Sequence, residues 1–253
     1  HQTRAERSGL TAAVVVCCVV GATVVGTTLY LGQEQVAEAS AAPAAMATEE
    51  YGRRLLRETP ELLGPDHPDP GRRMISSRLA CASCHLSIGA EPGTLTLLQT
   101  DEHFPRFSGR AGVMTDIEDR VNECMTRSMN GKPLPMDSPE MIAMASYLRS
   151  LGAQYEAMGA ASKKSGEPAA FKTPDRRADL TAGQTVYTER CSICHGADGG
   201  GLLATEEPRK GFLFPALWGP DSYNDGAGMG RVLTAARFIK ARMPLGQPDL
   251  TAD

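Results

Sequence analysis

The pentapeptide Cys-x-x-Cys-His occurs twice, as Cys81-Ala82-Ser83-Cys84-His85 and as Cys191-Ser192-Ile193-Cys194-His195. That spacing dictates what can fold around each motif. Two thiols separated by two residues reach the two vinyl groups of one porphyrin, and the adjoining imidazole lies beneath the ring, where it can bind iron. The rival readings are a thioredoxin-type redox pair and half a zinc site. A thioredoxin needs a βαβ pattern around its motif, and none is visible. A zinc site needs two more soft ligands per motif. Of the seven cysteines, Cys17 and Cys18 lie in an apolar run, and only Cys124 is then left over. Each motif is therefore read as the attachment site of one covalently bound haem c, two in all. Cys81, Cys84 and His85 hold the first; Cys191, Cys194 and His195 hold the second. Aromatics are only 5% of the chain, with Trp218 the single tryptophan, so the haems supply apolar mass that side chains do not.

The first 33 residues are a different material. No charged residue occurs between Ser8 and Gln33. As a helix this run is roughly 39 Å long, more than the roughly 30 Å hydrocarbon core of a bilayer. The apolar region of a cleaved signal is shorter, about 7–15 residues. The run is read as a transmembrane anchor inserted in the lipid bilayer through residues 8–33. Arg4 and Arg7 precede it, and Glu34, Glu38, Glu49 and Glu50 follow. The positive-inside rule then puts the N-terminus in the cytoplasm of a bacterium and the haem domains in its periplasm.

Residues 34–47 form an Ala-rich tether. Two modules follow, at 48–158 and 175–253, joined by a Pro/Gly/Lys-rich linker at 159–174. The expected fold is mostly α: two class I cytochrome c modules in tandem behind an N-terminal transmembrane helix. A helix is expected over 48–63 with Thr48 as N-cap. The helix carrying Cys124 is opened by a Thr115/Glu118 capping box and closed at Asn130-Gly131. Another runs from Ser138 to a stop at Gly152, and a fourth covers 229–241. Period-2 strand patterns are absent. Module two shows no counterpart of the Ser138 helix, so a C-terminal helix is expected beyond the end of the chain given. Net charge is −4 from 26 basic and 30 acidic residues, which offers no basic face for nucleic acid.

Each iron needs a further ligand. In module two Met243 follows a helix in Arg242-Met243-Pro244, and a thioether on such a loop is the usual partner of histidine in small cytochromes. Its rival, Met229, opens that helix and reads as packing. In module one Cys124 lies on one apolar face with Ile117, Val121 and Met125. The plain alternative is a buried structural thiol. Against it, Arg120 and Ser128 flank the sulfur four residues to either side, which suits a thiolate on iron or a site for an anion. Met114, Met125, Met129, Met136, Met141 and Met144 are read as core filler.

At these residues the chain resembles the di-haem thiosulfate dehydrogenases, periplasmic cytochromes that couple two thiosulfates into tetrathionate. The specific block is Glu118-Asp119-Arg120-Val121-Asn122-Glu123-Cys124, continuing through Arg127-Ser128-Met129-Asn130-Gly131-Lys132-Pro133. Arg78-Leu79-Ala80-Cys81, Phe214-Pro215-Ala216-Leu217-Trp218-Gly219 and Asn224-Asp225-Gly226-Ala227-Gly228-Met229 also agree. The resemblance implies that Cys124 is the distal ligand of the first haem. It further implies that Arg110, Arg120 and Ser128 line the substrate pocket, and that the second haem passes electrons to a cytochrome or a membrane redox complex. In the enzyme reading, Arg110, Arg120 and Lys132 offset the repulsion between two thiosulfate dianions, and Cys124 can form a transient sulfur–sulfur bond with one of them. The alternative is a non-catalytic electron-transfer subunit tethered to a membrane respiratory or photosynthetic complex.

Overall fold

Asp116, one residue after the expected Thr115, opens the helix that carries Cys124. Its carboxylate accepts the Asp119 N–H at 2.8 Å, and the Asp119 carboxylate accepts the Asp116 N–H at 3.1 Å. The reciprocal box thus uses aspartates one position downstream of Thr115 and Glu118. Thr115 instead ends a short strand and is buried. In this computed structural model, which describes residues 49–159, 171–205 and 211–247, the first half is built from four helices. These are α1 (Glu49–Arg57), α2 (Thr59–Leu63), α3 (Ile117–Arg127) and α4 (Pro139–Ala157).

The single helix expected over 48–63 is split at Glu58. Pro60 sits in the first turn of α2, where a missing N–H costs nothing. The Thr59 hydroxyl donates to the Leu55 carbonyl at 2.7 Å, occupying an acceptor at the end of α1. Thr48 lies outside the described residues. α4 begins as expected, with Ser138 Oγ accepting the Met141 N–H at 3.2 Å, but runs through Gly152 to Ala157. Gly152 is there for contact rather than termination: a Cβ on it would lie 2.5 Å from Asp101 Cβ. At Gly52 a Cβ would fall 2.0 Å from the Ala143 carbonyl oxygen, so α1 and α4 cross in near backbone contact.

Around that crossing lies the core, with Leu55, Leu56, Leu63, Val121, Leu148 and Leu151 buried together. Met125, Met129, Met141 and Met144 fill it as expected, whereas Met114 and Met136 are exposed. Two small antiparallel pairs also form. β1 (Arg106–Ser108) pairs with β2 (Val113–Thr115), and β3 (Leu202–Leu203) with β4 (Phe212–Phe214). Strands of two or three residues are too short to leave an alternation in sequence.

The second half has α5 (Leu180–Val186), a π-type turn over Tyr187–Cys191, α6 (Ser192–His195) and α7 (Val232–Arg242). α7 starts three residues later than Met229, because Gly228-Met229-Gly230 form turns closed by Gly230 N–H to Ala227 O and Arg231 N–H to Gly228 O, both at 3.2 Å. The two halves touch. Arg78 bonds Asp221 at 2.6 Å, Asn224 Nδ2 donates to Thr126 O at 2.9 Å, and Arg242 pairs with Glu91. Among the described residues no helix is long and apolar enough to cross a membrane. The expected span at 8–33 and the tether lie outside them, as do linker residues 160–170.

Candidate functional site

The first motif begins as a tight turn over Cys81–Ser83, with the His85 N–H bonded to the Cys81 carbonyl at 3.0 Å. The turn that follows places Leu95 so that its carbonyl lies 2.7 Å from His85 Nδ1. That contact fixes the tautomer: Nδ1–H donates, and Nε2 keeps its lone pair for a metal. Burial, reinforced by the charge of Arg120, lowers the affinity of this imidazole for a second proton. Burial likewise pushes the Cys81 thiol up to about 12 and Cys84 to about 11. These surroundings disfavour the thiolates a zinc site requires and suit neutral thioethers.

The motif borders a cavity of about 420 Å³. Arg120, Val121, Cys124, Met125 and Ser128 of α3 and its C-cap contribute one stripe of its lining, and Leu56, Leu79, Met144 and Leu148 supply apolar wall. The second half completes it with Tyr223, Ala227, Gly228, Met229 and Thr234. Met229, read as packing, lines the first motif's cavity. Two thiols, an imidazole with Nε2 available, a further sulfur at Cys124 and apolar walls together fit a covalently held haem.

At the second motif the same device recurs. His195 Nδ1 lies 2.8 Å from the Pro215 carbonyl, and the Tyr187 hydroxyl donates to Gly196 O at 2.6 Å, pinning the chain just after the motif. Burial raises the Cys191 thiol. Met243 is half-buried and caps α7, its N–H donating to Ile239 O at 2.8 Å.

Beside the first cavity lies a pocket of about 350 Å³ with a different character. Arg106, Arg110, Arg120, Arg127 and Arg231 line it with a single carboxylate, Glu123. Arg106, Arg120, Ser128, Ala227 and Gly228 border both spaces, so the two adjoin. The structure thus brings Arg110, Arg120, Ser128 and Cys124 to one place. Lys132 is not with them: it is exposed and lines neither space, its N–H bonding the Met74 carbonyl at 2.8 Å. Sequence reasoning missed Arg106, Arg127, Arg231 and Glu123. Glu123 and Arg127 had a signal, since they follow Arg120 at helical spacing. Arg106 and Arg231 come from loops and strand edges, where no periodicity points.

A Cys-x-x-Cys-His turn with an anchored histidine in a largely helical frame defines a c-type cytochrome, here with an arginine-lined pocket beside its haem cavity. Residues 72–156 match the SoxA/TsdA cytochrome c domain. Over 206 residues the chain is 39% identical to a thiosulfate dehydrogenase of Allochromatium vinosum, covering 80% of this chain and 71% of that one. A thiosulfate dehydrogenase of Psychrobacter arcticus is 38% identical over 71% of this chain and 53% of its own. Among solved structures, the thiosulfate dehydrogenase TsdBA from Marichromatium purpuratum, in its as-isolated form, superposes with a TM-score of 0.66 at 31% identity. That match covers 81% of this chain and 42% of the other, so the chain spans less than half of that protein. The chain belongs to the thiosulfate dehydrogenase family of oxidoreductases.

Proposed function

We propose that this chain joins two thiosulfates into tetrathionate beside the first motif and passes the electrons outward through a second haem held by Cys191, Cys194 and His195. The observation that carries the reading is the arginine pocket's shared wall with the cavity lined by Cys81, Cys84, His85 and Cys124. Haem c would be held by Cys81, Cys84 and His85, with Cys124 as the proposed further ligand, and would supply a one-electron acceptor.

Everything else falls to the chain's own side chains. Thiosulfate is a dianion, and bringing two together is opposed by Coulomb repulsion. The guanidiniums of Arg120 and Arg110 offset it, and the Ser128 hydroxyl adds a donor close to Cys124 in sequence and in space. Cys124 serves as a nucleophilic sulfur. A bond between Cys124 Sγ and the outer sulfur of one thiosulfate is formed with loss of two electrons. The second thiosulfate then attacks that outer sulfur, a sulfur–sulfur bond forms, and the Cys124 thiolate leaves with its electron pair. Atoms balance, no proton is consumed, and two electrons have departed per tetrathionate.

The uncharged run at 8–33 supports membrane anchoring with periplasmic haem domains, and Met243 is the proposed second ligand of the second haem. The electron acceptor would be another cytochrome or a membrane redox complex. A simple electron carrier has no use for five arginines around one pocket, which is why the enzyme reading is preferred. The test is to supply thiosulfate and an artificial electron acceptor to the purified, haem-loaded protein. Tetrathionate should appear, one for every two electrons transferred. Its absence from protein with both haems attached would overturn the reading.

A further inference from the structure

The arginine pocket is more cationic than one thiosulfate requires. Glu123 lies 3.0 Å from Arg120 and 3.1 Å from Arg127, so those two share one negative charge. Among the described residues Arg106, Arg110 and Arg231 have no carboxylate partner. Five guanidiniums less one carboxylate leave four positive charges, which equal the charge of two thiosulfate dianions and double that of one.

The lining also divides in space. Arg106, Arg120 and Ser128 border the haem cavity as well as the pocket, whereas Arg110, Arg127 and Arg231 border the pocket alone. Arg231 belongs to the second half, immediately before α7. One of its guanidinium nitrogens lies 3.7 Å from the position a Cβ on Gly228 would take. Arg110, from the first half, donates to the Gly226 carbonyl at 3.1 Å. The part of the pocket away from the haem cavity is thus walled by both halves.

We infer that Arg231, together with Arg110, forms an outer subsite for the second thiosulfate, and that this subsite exists only where the two halves meet. The inference rests on the proposed thiosulfate oxidation and specifies how its two substrates are held. The first dianion sits inside, at Arg120 and Ser128 beside Cys124. The second is held at Arg110 and Arg231, with its outer sulfur directed at the first. The second half thereby contributes to substrate binding as well as to electron transfer.

The test is equilibrium binding of thiosulfate to the fully reduced, haem-loaded protein at low ionic strength, where reduced haems accept no electrons and turnover is blocked. Wild type should bind two thiosulfates. Arg231→Gln should bind one, with the retained site's affinity changed by less than about twofold, as for an independent site. Arg231→Lys should keep two, the second more weakly, since an ammonium lacks the planar fork. In steady state Arg231→Gln should raise the KM for thiosulfate by about tenfold or more, the usual scale of a lost charge-assisted contact. The spectra and potentials of both haems should match wild type. Two thiosulfates on Arg231→Gln, or one on wild type, would overturn the inference. Failure of the underlying activity shows separately, as wild type that makes no tetrathionate whatever its binding stoichiometry.

Discussion

The two halves anchor their histidines in the same way and support them in opposite ways. His85 and His195 each offer Nδ1 to a backbone carbonyl, at 2.7 and 2.8 Å. Behind His85 stands a core in which Leu55 and Met141 are fully buried. Behind His195 the buried apolar residues among those described are Ala216, Ala227 and Phe238, while Leu180 is 85% and Ile193 87% exposed. Two lessons follow for how such sites are made. The imidazole's orientation is a local property of one turn and one carbonyl, needing no core. The cavity and the arginine pocket beside it are long-range properties, walled by α3 and α4 of the first half and completed by residues of the second. The second half lends side chains to that cavity and gains its contacts in return.

The sharpest way to break the comparison is at the two proposed iron ligands, Cys124 and Met243. Cys124→Met should leave the first haem attached, because its bonds run through Cys81 and Cys84. If Cys124 is the proposed thiolate ligand, a neutral thioether in its place stabilises ferric iron less, so that haem's potential should rise. Tetrathionate formation should fall by orders of magnitude, since the nucleophilic sulfur is lost as well. Redox titration and the tetrathionate assay check both. Met243→His should shift the other haem in the opposite direction, lowering its potential and leaving the first unchanged. An unchanged second haem would show that Met243 is not its ligand.

Next in size is packing. Leu55→Ala removes a fully buried side chain and should cost about 2–5 kcal/mol in denaturant unfolding. Leu180→Ala, at a position 85% exposed, should change stability by no more than about 0.5 kcal/mol. Equal effects at the two positions would contradict the asymmetry between the halves. Asn224 tests the seam. Its side chain donates to Thr126 O at 2.9 Å and Asn130 Oδ1 at 3.3 Å, and accepts from Gly226 N at 3.0 Å. Asn224→Ala strands partly buried groups at about 1–3 kcal/mol. It should also weaken thiosulfate binding, because the Gly226 strip it fixes walls the pocket.

What the sequence revealed follows the range of the interactions concerned. The motifs, the Cys124 face and the Ser138 cap are local and were legible. The helix start was misplaced by one residue because Thr115/Glu118 and Asp116/Asp119 both satisfy a capping pattern, and Thr115 is drawn into β2 instead. Gly152 was read as a stop because glycine often ends helices; here it admits Asp101, a tertiary contact no local rule reports. Met229 and Arg231 are the clearest cases. Their roles depend on the second half folding against the first, so residues far apart in sequence meet in one cavity. Arg106 was hidden for the same reason, in a strand too short to announce itself.

The smallest expected effect lies at Arg78, which spans the seam between Asp66 at 2.8 Å and Asp221 at 2.6 Å. The three side chains are between 30% and 50% exposed. Both carboxylates raise the guanidinium's already high affinity for its proton, led by the Asp66 hydrogen bond and opposed by partial burial. Arginine stays charged at any physiological pH in either state, so the raised value carries no pH-dependent stability. Exposed ion pairs contribute little once solvent screening and side-chain ordering are counted. Arg78→Ala should therefore cost less than about 1 kcal/mol, and about 0.5 M salt should shrink even that, since the Debye length falls to a few ångströms. If the seam were held mainly by this ion triad, Arg78→Ala would weaken thiosulfate binding as much as Asn224→Ala does. Arg110 and Arg231 line the pocket and Asn224 bonds the Gly226 that lines it, whereas Arg78 lies outside, so binding should be nearly unaffected. A titration of the two variants side by side separates a seam held by partly buried hydrogen bonds from one held by surface charge.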